Sequence, residues 1–67
     1  MKDQLLNAMR MSIEGKMALH KANIEIYLNN PTGIGEHSSV MESIEHQMDQ
    51  LAKYEGIAST MQKHWNI

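Results

Sequence analysis

Apolar residues in the first half of the chain recur at steps of three and four residues. Because an α-helix turns once every 3.6 residues, this spacing places them along one face of a helix. The pattern predicts an amphipathic helix over about residues 3–29, with Asp3 as its N-cap. The predicted core stripe, which includes one histidine, runs through Leu6, Met9, Ile13, Met17, His20, Ile24 and Tyr27 or Leu28.

The second half of the chain repeats the same spacing. Ser39 followed by Glu42 fits a capping box, in which each side chain accepts a hydrogen bond from a free amide of the first turn. These signals predict a second helix over about residues 39–64. Its apolar stripe runs through Val40 or Met41, Ile44, Met48, Leu51, Tyr54, Ala58, Met61 and Trp65.

Between the two patterns lies a segment that cannot continue a helix. It contains Pro31, the only proline, together with Gly33 and Gly35. Proline lacks the amide hydrogen, and glycine tolerates positive φ, so the chain can turn back here. We therefore predict a single all-α domain, an antiparallel two-helix hairpin with a loop over residues 30–38, in which Ile34 covers the open end of the core.

A second apolar set in the first helix exceeds what one partner helix can cover. Leu5, Ser12, Leu19 and Ile26 repeat every seven residues, and Ala8 and Ala22 widen the same surface. Self-association would bury this surface, so we expect a homo-oligomer, with two hairpins forming a four-helix bundle as the simplest arrangement. The residues predicted to form the interface are Leu5, Leu19, Ile26, Met48, Leu51 and Trp65.

Gly15 and Gly56 allow two interpretations. In the first, the two glycines lie near the same level of the hairpin, where the absence of side chains would allow the two backbones to approach each other closely. Alternatively, both glycines face solvent, where each costs about 1 kcal/mol relative to alanine. The sequence leaves both alternatives open.

Composition excludes several classes of function. The chain has no cysteine, so neither disulfides nor thiolate metal sites stabilise it. Its formal charge of −2 and its lack of a basic run argue against binding to nucleic acid or to an anionic membrane. A DNA-binding helix-turn-helix is disfavoured, since the break is long and the second helix is acidic. Without a leader or a long apolar run, we expect a cytoplasmic protein.

The four histidines form none of the common metal motifs. Glu42 and His46 are one turn apart and could supply two metal ligands, with another pair from a two-fold mate and with His37 as a further candidate. A solvated charge pair on the acidic side of the second helix is the simpler explanation. His20 falls on the core stripe, where a hydrogen bond to a polar neighbour is the expected role. We predict no catalytic residue and no cofactor, and we expect that the protein is not an enzyme.

The run Asn30-Pro31-Thr32-Gly33-Ile34-Gly35-Glu36-His37 carries a family resemblance. With the later Leu51-Ala52-Lys53-Tyr54-Glu55, it resembles short uncharacterised proteins of marine T4-like phages, especially cyanophages. The resemblance implies a role in the cytoplasm of an infected bacterium, and it brings no functional residue with it. We therefore expect a small protein-interaction module that binds itself and a host or phage protein; the alternative is a metal-binding bundle that uses Glu42 and His46.

Overall fold

The computed structural model describes the backbone of residues 1–29 and 37–67, and it shows two α-helices. Helix α1 spans Lys2–Asn29 and helix α2 spans His37–Trp65. Residues 30–36, with Pro31, the two loop glycines and the predicted plug Ile34, lie outside the described residues, as do the side chains of His37 and Ser38.

Both ends of α1 follow from local hydrogen bonding. The Leu5 amide donates to the Met1 carbonyl at 3.0 Å, so the helix starts earlier than expected, and Asp3 lies within the first turn instead of capping it. A carboxylate there is still stabilised by the helix dipole. At the other end, Asn29 Nδ2 donates to the Glu25 carbonyl at 2.8 Å and satisfies one acceptor of the last turn.

Helix α2 begins two residues before its predicted start. Since His37 is already helical, Ser39 lies inside the first turn, and the predicted capping box is wrong. The helix ends after Trp65, where Asn66 takes a φ of 57°. Its amide donates to the Gln62 carbonyl at 3.0 Å, as in a left-handed C-terminal cap.

The two helices pack against each other along their length in antiparallel orientation. Ile13 near the start of α1 shares a concavity with Met61 near the end of α2. In the middle, His20 contacts Gln47 and Tyr54. The antiparallel pair predicted from the apolar stripes is thus confirmed. Within the described residues, the buried core is small and consists of Ile13, Ile24, Val40 and Met61.

Neither helical glycine lies at a close approach of the backbones. A Cβ atom built on Gly15 or on Gly56 would have no neighbouring heavy atom within 4 Å. The close-approach interpretation is therefore wrong for the hairpin itself, and both glycines face open space. They mark two outward surfaces, one on each helix.

The hairpin is long and narrow, with extents of 48 × 16 × 14 Å and a radius of gyration of 15.0 Å. A compact chain of this length would have a radius of gyration of about 11 Å. Neither α1 nor α2, as far as the chain is described, has an apolar stretch that could cross a bilayer.

Candidate interaction surface

The six predicted interface residues fall on separate parts of the hairpin. Leu5, Leu19 and Ile26 all lie on α1, and each exposes more than half of its surface. Met48 and Leu51 instead line a concavity between the helices, together with Met17 and Ile24. Trp65, the last residue of α2, is half exposed, and its ring packs edge-to-face against the ring of His64. One flat interface cannot use all six.

The first of these surfaces is a continuous exposed strip of α1 that we call the α1 outer face. It contains no charged side chain, and every member is exposed. Helical geometry aligns these residues because seven residues complete almost two turns. The α1 outer face consists of Leu5, Ala8, Ser12, Gly15, Leu19, Ala22, Ile26 and Asn29.

The second surface is an apolar hollow near the loop end of the hairpin. Leu28 of α1 and Met41, Ile44 and Met48 of α2 line it, and Glu45 and Asp49 form its rim. Met41 and Met48 are about half exposed. Methionine side chains adapt easily to different shapes, so this hollow can accommodate varied apolar side chains.

A polar layer crosses the middle of the helix pair. Nδ1 of His20 lies 2.7 Å from Oε1 of Gln47, and Nδ2 of Asn23 donates to the same oxygen at 3.1 Å. Because that oxygen is an acceptor, Nδ1 of His20 carries the proton and donates. The expected hydrogen bond of His20 to a polar neighbour is therefore confirmed, although the ring is only half-buried.

Aromatic and cationic groups extend this layer. The His20 and Tyr54 rings stack with centroids 5.7 Å apart and planes inclined by 6°. The ammonium groups of Lys16 and Lys53 each lie 5.2 Å from the Tyr54 centroid, within the range of a cation–π interaction. A polar residue at a core position favours one register of a helix pair, so the layer holds α1 and α2 in one alignment.

Sequence reasoning missed Gln47 and Asn23, although a signal was present. Gln47 lies midway between Val40 and Tyr54 at seven-residue spacing, and His20 lies likewise between Ile13 and Tyr27. A search that follows apolar residues on the second helix passes over Gln47, although its position in α2 is equivalent to that of His20 in α1.

The metal candidates come together only in part. Glu42 and His46 are both exposed and line one shallow concavity with Tyr27, Ser39 and Gln47. The third candidate, His37, has its side chain outside the described residues. Within the described part of the chain, no three His, Cys, Asp or Glu side chains are grouped so that they could hold a metal ion. Glu42 and His46 of one chain would supply two of the three or four ligands that protein zinc sites use, so the site would also need the same pair from a second copy.

Comparison with protein-family models, with curated proteins and with solved structures finds no match for this chain. The functional argument therefore rests on the surfaces described above.

Proposed function

We propose that the chain is a small, non-catalytic protein-interaction module that associates first with itself and completes its core with helices of other copies. The observation that carries this proposal is the amount of apolar surface that the hairpin leaves open. Among the residues whose burial the structure describes, four apolar side chains are buried, whereas ten large apolar side chains are about half exposed or more.

The accessible surface area of the hairpin can be compared with that of a compact monomer of the same mass. The chain exposes 5050 Å². A compact monomer of 7.7 kDa exposes roughly 4300 Å², so the hairpin has an excess of about 700 Å². Each partner of a standard protein interface buries about 800 Å². The excess is therefore about the area that one interface would cover.

The chemistry of the exposed side chains supports binding by burial. Leucine, isoleucine and methionine dominate the exposed apolar groups, and each gains about 1.5–3 kcal/mol when fully removed from water. Exposed apolar patches of this extent mark interaction sites in soluble proteins. A four-helix arrangement of two hairpins would cover such surface with the elements that the chain already has.

The resemblance to short phage proteins extends the same proposal. In an infected bacterium, a module of this kind would act as an accessory protein that binds a host or phage protein in addition to itself.

Molar mass in solution tests the proposal. Light scattering behind a sizing column, repeated over a wide range of concentration, should give a mass that is a multiple of 7.7 kDa. The mass should fall only on strong dilution. A mass of one chain at every concentration would contradict the proposed self-association.

A further inference from the structure

We infer that the α1 outer face is a two-fold symmetric interface at which α1 of one hairpin packs antiparallel against α1 of a second copy. This inference rests on the proposed function and names the residues of its first interface. It starts from the order of large and small side chains along the face, and the absence of charge on the face supports it.

The large and small residues of the α1 outer face alternate in a self-complementary order. When two such helices run antiparallel, Gly15 can lie opposite Leu19 of the second copy, and Ala8 opposite Ile26 of the second copy. Two-fold symmetry repeats each of these pairs. In this register every large apolar side chain of the central turns meets a small residue, as dense packing requires.

The remaining positions fit the same register. Ser12 lies opposite Ala22 of the second copy, and Leu5 lies opposite Asn29 of the second copy at the ends of the contact. A parallel pair would instead place Gly15 against its own copy and Leu19 against its own copy. The parallel pair would leave a void where two glycines meet and would crowd the layer where two leucines meet. The order of residues therefore favours the antiparallel pair.

The hairpin leaves Gly15 free for this contact. Nothing lies within 4 Å of a Cβ built on Gly15, so packing against α2 does not account for the glycine. A glycine in the middle of an exposed helix lowers helix stability, and it is compensated where another helix approaches closely. Gly56 has the same open surroundings on α2, where its neighbours are polar, and it therefore provides a matched control.

The absence of charge on the α1 outer face agrees with a second copy of the same face as the occupant. The face carries no charged side chain that could form an ion pair with a charged partner protein. Lys16 borders it near the two-fold axis, but its ammonium lies over the Tyr54 ring on the α2 side.

The test compares leucine substitutions at the two glycines. Gly15→Leu should raise the dimer dissociation constant by about 100-fold or more, because the new side chain meets Leu19 of the second copy twice. Gly56→Leu should leave the dissociation constant unchanged. Circular dichroism should show both variants at least as helical as the parent chain, since leucine is the better helix former.

A swapped variant tests the register. Gly15→Leu combined with Leu19→Gly preserves one large and one small residue in each opposed pair, so it should restore dimerisation to within about tenfold of the parent chain. The interface would be overturned if Gly15→Leu dimerised as tightly as the parent chain. Failure of the swapped variant to recover would overturn the antiparallel register.

The outcomes separate this inference from the proposed function. A parent chain that forms a multimer insensitive to Gly15→Leu would overturn only the α1 interface. A parent chain that stays monomeric at every concentration would overturn both the interface and the self-association from which it follows.

Discussion

The outward surfaces of the two helices differ in kind, although the helices are almost equal in length. The α1 outer face carries leucine, isoleucine and small residues without a charge. An exposed strip of α2, which we call the α2 outer face, is polar and charged, and consists of Glu42, Glu45, Asp49, Lys53, Gly56, Thr60 and Lys63. Both are exposed in the hairpin, so the partner helix does not explain the difference.

The contrast indicates what each surface is suited to meet. Charged side chains at the α2 outer face are solvated at no cost and would have to be desolvated in an interface. The α1 outer face has little to lose on contact with protein and apolar area to gain. The hairpin is therefore asymmetric, with the α2 outer face suited to water and the α1 outer face suited to a further helix.

The largest expected effect comes from placing a charge on the α1 outer face. Leu19→Glu should raise the dimer dissociation constant by about 100-fold or more, because the symmetric contact would bury two unpaired carboxylates. Thr60→Glu adds the same charge to the α2 outer face and should leave the dissociation constant unchanged. Sedimentation equilibrium measures both, and equal effects of the two substitutions would remove the distinction between the faces.

The second effect concerns the polar layer that aligns α1 with α2. Gln47→Leu removes the oxygen that accepts from His20 and Asn23, and should lower the free energy of unfolding by about 1–2 kcal/mol. Gln62→Leu, at an exposed position of α2, should change it by less than about 0.5 kcal/mol. Urea denaturation compares them. A stability of Gln47→Leu equal to that of the parent chain would show that the polar layer does not stabilise the pairing.

A third effect is confined to the α2 outer face. Gly56→Ala should raise the free energy of unfolding by about 1 kcal/mol, since the added methyl group meets open space and alanine favours the helix. The reverse change at exposed Ala52 in the same helix, Ala52→Gly, should lower it by a similar amount. Thermal unfolding with a simultaneous mass measurement checks this. A loss of stability or of dimer in Gly56→Ala would show that Gly56 lies at a contact.

The smallest effect on stability is expected for a single ion pair within α1. Arg10 Nη1 lies 2.6 Å from Glu14 Oε1 in an exposed ion pair one turn apart. Glu14→Gln should lower the free energy of unfolding by no more than about 0.5 kcal/mol, because solvent screens such pairs. The loss should diminish further in high salt. A loss that persists in high salt would assign Glu14 a role other than this pair.

The helices and their pairing could be predicted because the apolar stripes are long and regular. Ile13, Ile24, Val40 and Met61 all belong to the predicted stripes and form the buried core. The helix starts were less predictable, since Asp3 and Ser39 are good caps but also tolerable first-turn residues. Local propensity alone does not decide between these two positions.

The pattern of residue types does not divide the predicted interface residues into separate surfaces. Leu19 and Met48 are both apolar, so the sequence pattern predicted both as interface residues. Leu19 lies on the α1 outer face and Met48 lines the concavity between the helices, and this difference depends on how each helix is rotated about its own axis. That rotation depends on cross-helix contacts such as His20 with Gln47, which a search for apolar periodicity does not include. The pattern of residue types indicates exposed apolar surface, whereas its division into faces needs the packed structure.

Thiol labelling tests the central claim most directly, because the chain contains no cysteine of its own. One variant, Ser12→Cys, places a thiol on the α1 outer face, and a second, Thr60→Cys, places one on the α2 outer face. The first thiol should react more slowly as the protein concentration rises, while the second should react at a constant rate. Equal rates for the two thiols at all concentrations would contradict the claim that protein covers one face and water covers the other.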